Sequence, residues 1–228
     1  MELPEGMRHP IKWTQSAGEE VANSISHGAG LLGAIIGAPI LLTAAWERGN
    51  PHFTAGAIVY AATMLLLYLG STLYHAWPQT SFKCFLQVVD HSAIFLLSAG
   101  TYTPFALGPL RGAWGWTVLI VVWGFAMLGI FMKATKGVLH RPRFSICLYL
   151  AMGWLVLLVI RPLALAVPPS TIAWLAAGGV AYTAGIIFFV REHVRYSHFV
   201  WHLFVLGGTL CHYVAVLTYA TARAAGAG

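Results

Sequence analysis

Charge is scarce in this sequence. Asp, Glu, Lys and Arg together make up only 9% of its 228 residues, which is too little polar surface to keep a globule of this size in water. The acidic side is the scarcer: seven carboxylates stand against thirteen Lys and Arg, and Asp90 is the single aspartate. Cysteine is rare too. Cys84, Cys147 and Cys211 lie far apart, show no C-x-x-C spacing and each falls inside an apolar run, which argues against a disulfide framework. Linkers are missing: only short connectors separate the apolar runs, so there is no place for a second core and the chain reads as one domain. The formal charge of +6 and pI near 9.4 do not mark a nucleic-acid binder, because the basic residues sit singly or in small groups at the ends of apolar runs, the pattern of membrane anchoring.

What the chain has in abundance is apolar length. It is 58% hydrophobic with a mean hydropathy of +0.73. Crossing a hydrocarbon core of about 30 Å takes about 20 helical residues, and seven runs are long enough: 21–46, 53–76, 82–107, 113–132, 144–167, 171–190 and 199–222. The expected fold is therefore an all-α bundle of seven transmembrane helices in a multi-pass protein of the cell membrane. The first run follows about twenty polar residues and is too long and Gly-rich for a signal-peptide core, so no cleavage is expected. Arg161 and Pro162 interrupt the fifth run, with Arg161 expected to snorkel to the far interface. Gly33 and Gly37 form a G-x-x-x-G face suited to close helix packing. Pro39 and Pro104 are expected to kink their helices, and Trp46, Trp77, Trp114 and Trp116 to anchor at the interfaces.

Basic residues set the orientation. Arg8, Lys12, Lys83, Lys133, Lys136, Arg141, Arg143, Arg191 and Arg195 fall on one side, and Arg48, Arg111, Arg161 and Arg223 on the other. Nine against four predicts a cytoplasmic N-terminus and an external C-terminus.

Ionisable residues at membrane depth need a partner or a purpose. Asp90 lies inside the third run. His75 ends the second, with Ser71 one turn before it on the same face. His198 and His202 open the seventh, four residues apart and so on one side of a helix. Because the second run descends while the third and seventh ascend, all these groups fall within about 8–16 Å of the cytoplasmic boundary. A histidine pair at this spacing also recurs by chance. With His75 and Asp90 at the same depth, it points to a catalytic Zn²⁺: three imidazoles, and an open fourth position for water or hydroxide. Asp90 would orient that water, accept its proton or hold a ligand histidine. Ser71 either bonds Asp90 or a developing oxyanion, or bonds back to its own helix. Glu20, Asn23 and His27 enter from the same side as a supporting shell; the alternative is that Asn23 or Ser24 caps the helix and Glu20 is hydrated. His91 points about 100° from Asp90 and is a poor co-ligand, and His212 lies about 15 Å beyond His202. His9, His52, His140 and His193 fall in connectors.

The segments Glu20-Val21-Ala22-Asn23-Ser24-Ile25-Ser26-His27-Gly28, Ser71 to His75, Asp90 with the run after it, and His198 to Phe204 resemble the hemolysin III family, the prokaryotic branch of the progestin and adipoQ receptor (PAQR) family. The resemblance runs from about Glu20 to Tyr219. It implies a seven-helix fold with an inside-facing N-terminus, Zn²⁺ on His75, His198 and His202, and Asp90 and Ser71 lining the zinc site, as in the superfamily that includes alkaline ceramidases. The long cytosolic N-terminal region of the animal receptors has no counterpart, so hormone reception is not expected.

These readings converge on a zinc-dependent hydrolase of an amide or ester bond in a membrane lipid, which serves as substrate or ligand; ceramide-like amides are the analogy's suggestion. A non-enzymatic receptor or regulator with structural zinc is the alternative. A cytolytic pore ranks last, because no run carries a continuous polar stripe. Elemental analysis of purified protein is expected to find one equivalent of zinc, lost in both His75→Ala and His198→Ala; retention in either variant removes that residue from the ligand set.

Overall fold

The computed structural model describes residues 15–135, 142–191 and 193–222. Helices α1 (Ala17–Glu47), α2 (Pro51–Ala76), α3 (Ser81–Leu107) and α4 (Ala113–Ala134) are followed by a broken fifth span, α5 (Pro142–Trp154), a 3₁₀ segment (Leu155–Val159) and α6 (Ile160–Ala166). Then come α7 (Pro169–Phe189) and α8 (Ser197–Thr221). Seven of these units are long and apolar enough to cross a membrane. Large apolar side chains face outward, among them Leu158, Ile120 and Ile36, while Asn23, His27, Ser71, His75, Lys83 and His202 are buried. Polar groups inside and hydrocarbon outside is the arrangement for a lipid solvent. The chain is an integral membrane protein.

Local chemistry fixes the helix ends. A capping box starts α1: the Ser16 hydroxyl accepts from the Glu19 N–H, and the Glu19 carboxylate accepts from the Ser16 N–H at 2.9 Å. The helix thus begins a turn earlier than the apolar pattern suggests, and neither Asn23 nor Ser24 caps it. The Asn50 carboxamide oxygen caps α2, accepting from the His52 and Phe53 N–H groups at 3.1 Å, with Pro51 in the first turn. At the far end of α8, the Arg48 guanidinium donates to the carbonyls of Tyr219 and Ala222 and stacks on the Tyr219 ring. A cation there satisfies the terminal carbonyls and opposes the helix dipole.

The fifth span does not stop at Arg161 but continues to Ala166. Pro162 has no N–H to give and crowds the carbonyl four residues earlier; the 3₁₀ winding just ahead of it relieves this. Arg161 is exposed.

Helix α1 packs on α2 and α8, α2 on α3, α3 on α4, and α7 on α8, while the fifth span lies more loosely against α3, α4 and α7. With α8 returning to α1, the N-terminal turns of α1, α3 and α8 meet the C-terminal turn of α2. The G-x-x-x-G expectation is corrected here. A Cβ on Gly33 would meet nothing within 4 Å, and Gly37 faces the Tyr213 ring rather than a helix backbone. Close approaches to a neighbouring helix backbone occur instead at Gly115, where a Cβ would lie 2.1 Å from the Ala106 carbonyl, and at Gly56, where it would lie 2.5 Å from Pro104 Cα and 2.9 Å from the Thr103 carbonyl. The structure also qualifies the charge count. Arg8, Lys12, Lys136, Arg141 and Arg223 lie outside the described residues, as does most of the Ala222–Gly228 tail. Lys83 and Lys133 are buried. Gly56→Ala should therefore destabilise the detergent-solubilised protein by about 1–3 kcal/mol, read as a lower thermal midpoint, whereas Gly33→Ala should leave it unchanged; equal midpoints would place the α2–α3 contact elsewhere.

Candidate metal centre

The last turn of α2 carries His75, and the first two turns of α8 carry His198 and His202. Their ring centroids are 4.7–5.2 Å apart, and one potential ligand atom from each lies within 4.8 Å of the other two. Tetrahedral zinc holds its nitrogens at about 2.0–2.1 Å, so small side-chain shifts bring the three together.

Hydrogen-bond partners decide which nitrogen each ring presents. His75 Nδ1 lies 2.7 Å from Glu20 Oε2. An ionised carboxylate only accepts, so Nδ1 carries the proton and Nε2 keeps its lone pair. His202 Nδ1 lies 3.3 Å from the Asn23 carbonyl and 3.1 Å from Ser26 Oγ, whose own proton goes to that carbonyl at 2.8 Å. His202 Nδ1 is therefore the donor, and Nε2 is again the free acceptor. His75 Nε2 and His198 Nε2 are buried without any hydrogen-bond partner. Buried lone pairs converging without donors fit a cation, and the carboxylate behind His75 and the carbonyl behind His202 are the support that metal-bound histidines need. The donor set thus fits zinc.

The first turns of α1 supply that support. Besides His75, Glu20 binds Lys83 of α3, with Nζ 2.8 Å from Oε1, and Lys83 also donates to the Trp77 carbonyl at 3.1 Å. Asn23 is fully buried, its carboxamide donating to Gln15 Oε1 at 2.7 Å. The His27 ring stacks on His202 at 3.6 Å and 9°. Glu19 reaches the turn before α8, accepting from the Tyr196 N–H at 2.8 Å. Tyr196 has a φ of 59°, a left-handed conformation unusual for a bulky residue, and it sets the entry angle of the helix bearing His198 and His202.

Beside the histidines is a 40 Å³ cavity whose wall includes His27, Asp90, Lys133, His198 and His202. By volume it has room for about two or three waters. Asp90 is nearly buried, and its Oδ2 lies 4.0 Å from His91 Nε2. His91 joins the same wall despite its angular offset, but it is not part of the three-histidine group. Ser71 is buried, and its hydroxyl has no partner. It is not bonded back to its helix, as Thr72 is to the Tyr68 carbonyl at 2.6 Å; nor is it part of the cavity wall. His52 and His193 are exposed and stand apart, and His9 and His140 lie outside the described residues. Ser26, Lys83 and Lys133 are the members that sequence reasoning missed as site residues.

Fold and site together define a class: seven-helix integral membrane proteins with a buried three-histidine cluster at one end of the bundle. A family model described as Haemolysin-III related matches residues 15–213. The chain belongs to the haemolysin III family. It is 40% identical to the Hemolysin-3 homolog of Bacillus subtilis over 88% of this chain and 94% of that one, and 40% identical to Hemolysin-3 of Bacillus cereus over 91% and 94%. It is more distantly similar to the human monocyte to macrophage differentiation factor, a protein of PAQR type, at 26% identity over 88% and 84%.

Glu20 is bonded to both a candidate ligand, His75, and a buried lysine, Lys83. Glu20→Gln is expected to weaken zinc affinity by about 10–100-fold in a chelator competition; unchanged affinity would mean that His75 needs no carboxylate behind it.

Proposed function

We propose that this protein is a zinc-dependent hydrolase of the cell membrane that cleaves an amide or ester bond of a membrane lipid, with its N-terminus and metal centre on the cytoplasmic side. The observation that carries this reading is the trio of inward-facing imidazoles beside a small cavity that also contains Asp90. His75, His198 and His202 would hold the ion. Zinc bound there supplies a Lewis acid that polarises a carbonyl and makes water acidic enough to attack near neutral pH.

The chain's own groups do the rest. Asp90, in the wall of a cavity that has room for water, takes the proton of the attacking water and passes it to the departing amine or alkoxide. Lys133, in the same wall, offsets the charge of that carboxylate while it is ionised. Glu20 and the Asn23 carbonyl keep the two supported imidazoles aimed while charge shifts across the site. Ser71, buried one turn from His75, is the candidate to steady a developing oxyanion.

A second cavity supports a lipid as substrate. It measures 230 Å³, is bounded mostly by apolar side chains from α3, the fifth span and α7, and shares Ile94, Tyr149 and Trp201 with the polar cavity. An acyl chain lying there would bring its carbonyl toward the histidines. The small volume of the polar cavity favours a second reading, in which zinc ties α2 to α8 and the protein regulates without turnover.

Purified protein incubated with mixed membrane lipids should release fatty acid. His202→Ala and Asp90→Ala should each lower the rate by at least about a hundredfold. Zinc retained without turnover on any lipid would favour the regulator. Ion flux through liposomes that survives metal removal would favour a pore and defeat both. Chelation should lower the melting temperature under either zinc reading, because an ion bound only by the folded state stabilises it.

A further inference from the structure

We propose that the Tyr102 hydroxyl latches the fifth span in its broken winding, and that the larger cavity accepts a lipid chain only while this latch holds. The second half rests on taking that cavity as the acyl site; the first half does not.

In a regular α-helix the Val156 N–H would donate to the Met152 carbonyl, and the Leu157 N–H to the Gly153 carbonyl. Tyr102, on α3, stands in that ladder. Its hydroxyl lies 2.8 Å from the Met152 carbonyl and 3.1 Å from the Gly153 carbonyl, and it accepts from the Val156 N–H at 3.0 Å. A side chain inserted between donor and acceptor breaks a helix, and the 3₁₀ segment Leu155–Val159 begins at this point. Pro162 does not account for the start of the break, because the carbonyl it crowds is that of Leu158, further along the span. Each backbone group in hydrocarbon needs a partner. Without the hydroxyl, the Val156 N–H has the Met152 carbonyl to turn to, and the α-helix closes.

Rewinding alters the cavity because it turns the rest of the span. Five residues at about 120° each become five at about 100°, so with α5 fixed α6 rotates by about 100°, the offset of one residue. Ile160 and Leu163 now line the cavity, together with Trp154, Val156 and Leu157. After the rotation Arg161 points where Ile160 does, and Ala164 where Leu163 does. A charged side chain and a methyl group thus replace two branched apolar ones, and the wall loses its fit to a hydrocarbon chain. Trp154 and Leu157 are also exposed on the outer surface, so the break stands between the chamber and the surrounding lipid.

Spin labels read the rotation on the full-length protein in nanodiscs, in a Cys84→Ser, Cys147→Ser, Cys211→Ser background. Leu165→Cys on α6 is paired with Ile36→Cys on α1 or with Ile120→Cys on α4, all exposed positions. A side chain about 5–6 Å from the helix axis moves by about 8 Å in such a turn. In Tyr102→Phe at least one of the two distances should therefore shift by about 5 Å or more. In Pro162→Ala the latch is intact, and both should stay as in the native protein. Unchanged distances in Tyr102→Phe overturn the proposal. A shift in Pro162→Ala also overturns it, whether or not the other variant folds. Tritiated octadecanol, which is neutral and has no bond to cleave, should bind Tyr102→Phe at least about tenfold more weakly than the native protein, and Pro162→Ala equally well. Equal binding by Tyr102→Phe overturns the link between latch and cavity. No binding by the native protein removes the cavity as an acyl site and with it the second half of the proposal, while the distances judge the latch by itself.

Discussion

Everything at the functional end of this bundle depends on how an ionised carboxylate is kept among hydrocarbon. Glu20 is held by a histidine on one side and a lysine on the other, so one half-buried anion joins α1, α2 and α3. Such a group depends on its partners, because removing one leaves a charge that is only partly solvated. The helix packing and the aim of the His75 ring are thus one constraint. The same economy applies at His202, where a main-chain carbonyl and the Ser26 hydroxyl of α1 hold a ring on α8.

This coupling explains why α1 matters although it contributes no candidate ligand. Its first three turns carry Glu19, Glu20, Asn23, Ser26 and His27, and each touches something that positions α2, α3 or α8. The candidate metal centre is built by the closure of α8 onto α1 as much as by the histidines themselves.

Much of this was legible before any coordinates. Seven apolar runs of sufficient length count themselves, since a helix must bury its own backbone polarity in lipid. Depth along those runs was enough to bring His75, Asp90, His198 and His202 to one end. Other features were open to a closer reading: Ser16 followed by Glu19 is a capping-box pattern, and it starts α1 a turn before the apolar run does. Some features had no sequence signal. Gly33 and Gly37 look like a packing motif, but whether a glycine meets a backbone depends on how the helix is rotated in the bundle. Lys83 and Lys133 look like residues that set orientation, and only tertiary structure reveals that their ammonium groups turn inward. His91 follows Asp90 by 100° of rotation, yet a cavity wall is wide enough to include both.

The broken winding of the fifth span carries a mechanical consequence. A 3₁₀ helix rises about 2.0 Å per residue and an α-helix about 1.5 Å, so rewinding Leu155–Val159 changes the reach of this span by about 2.5 Å. That is close to the few ångströms by which bilayers of different lipid composition differ in thickness. The segment that packs most loosely also forms part of the wall of the larger cavity, so a rewinding there would couple the width of the membrane to the shape of that chamber.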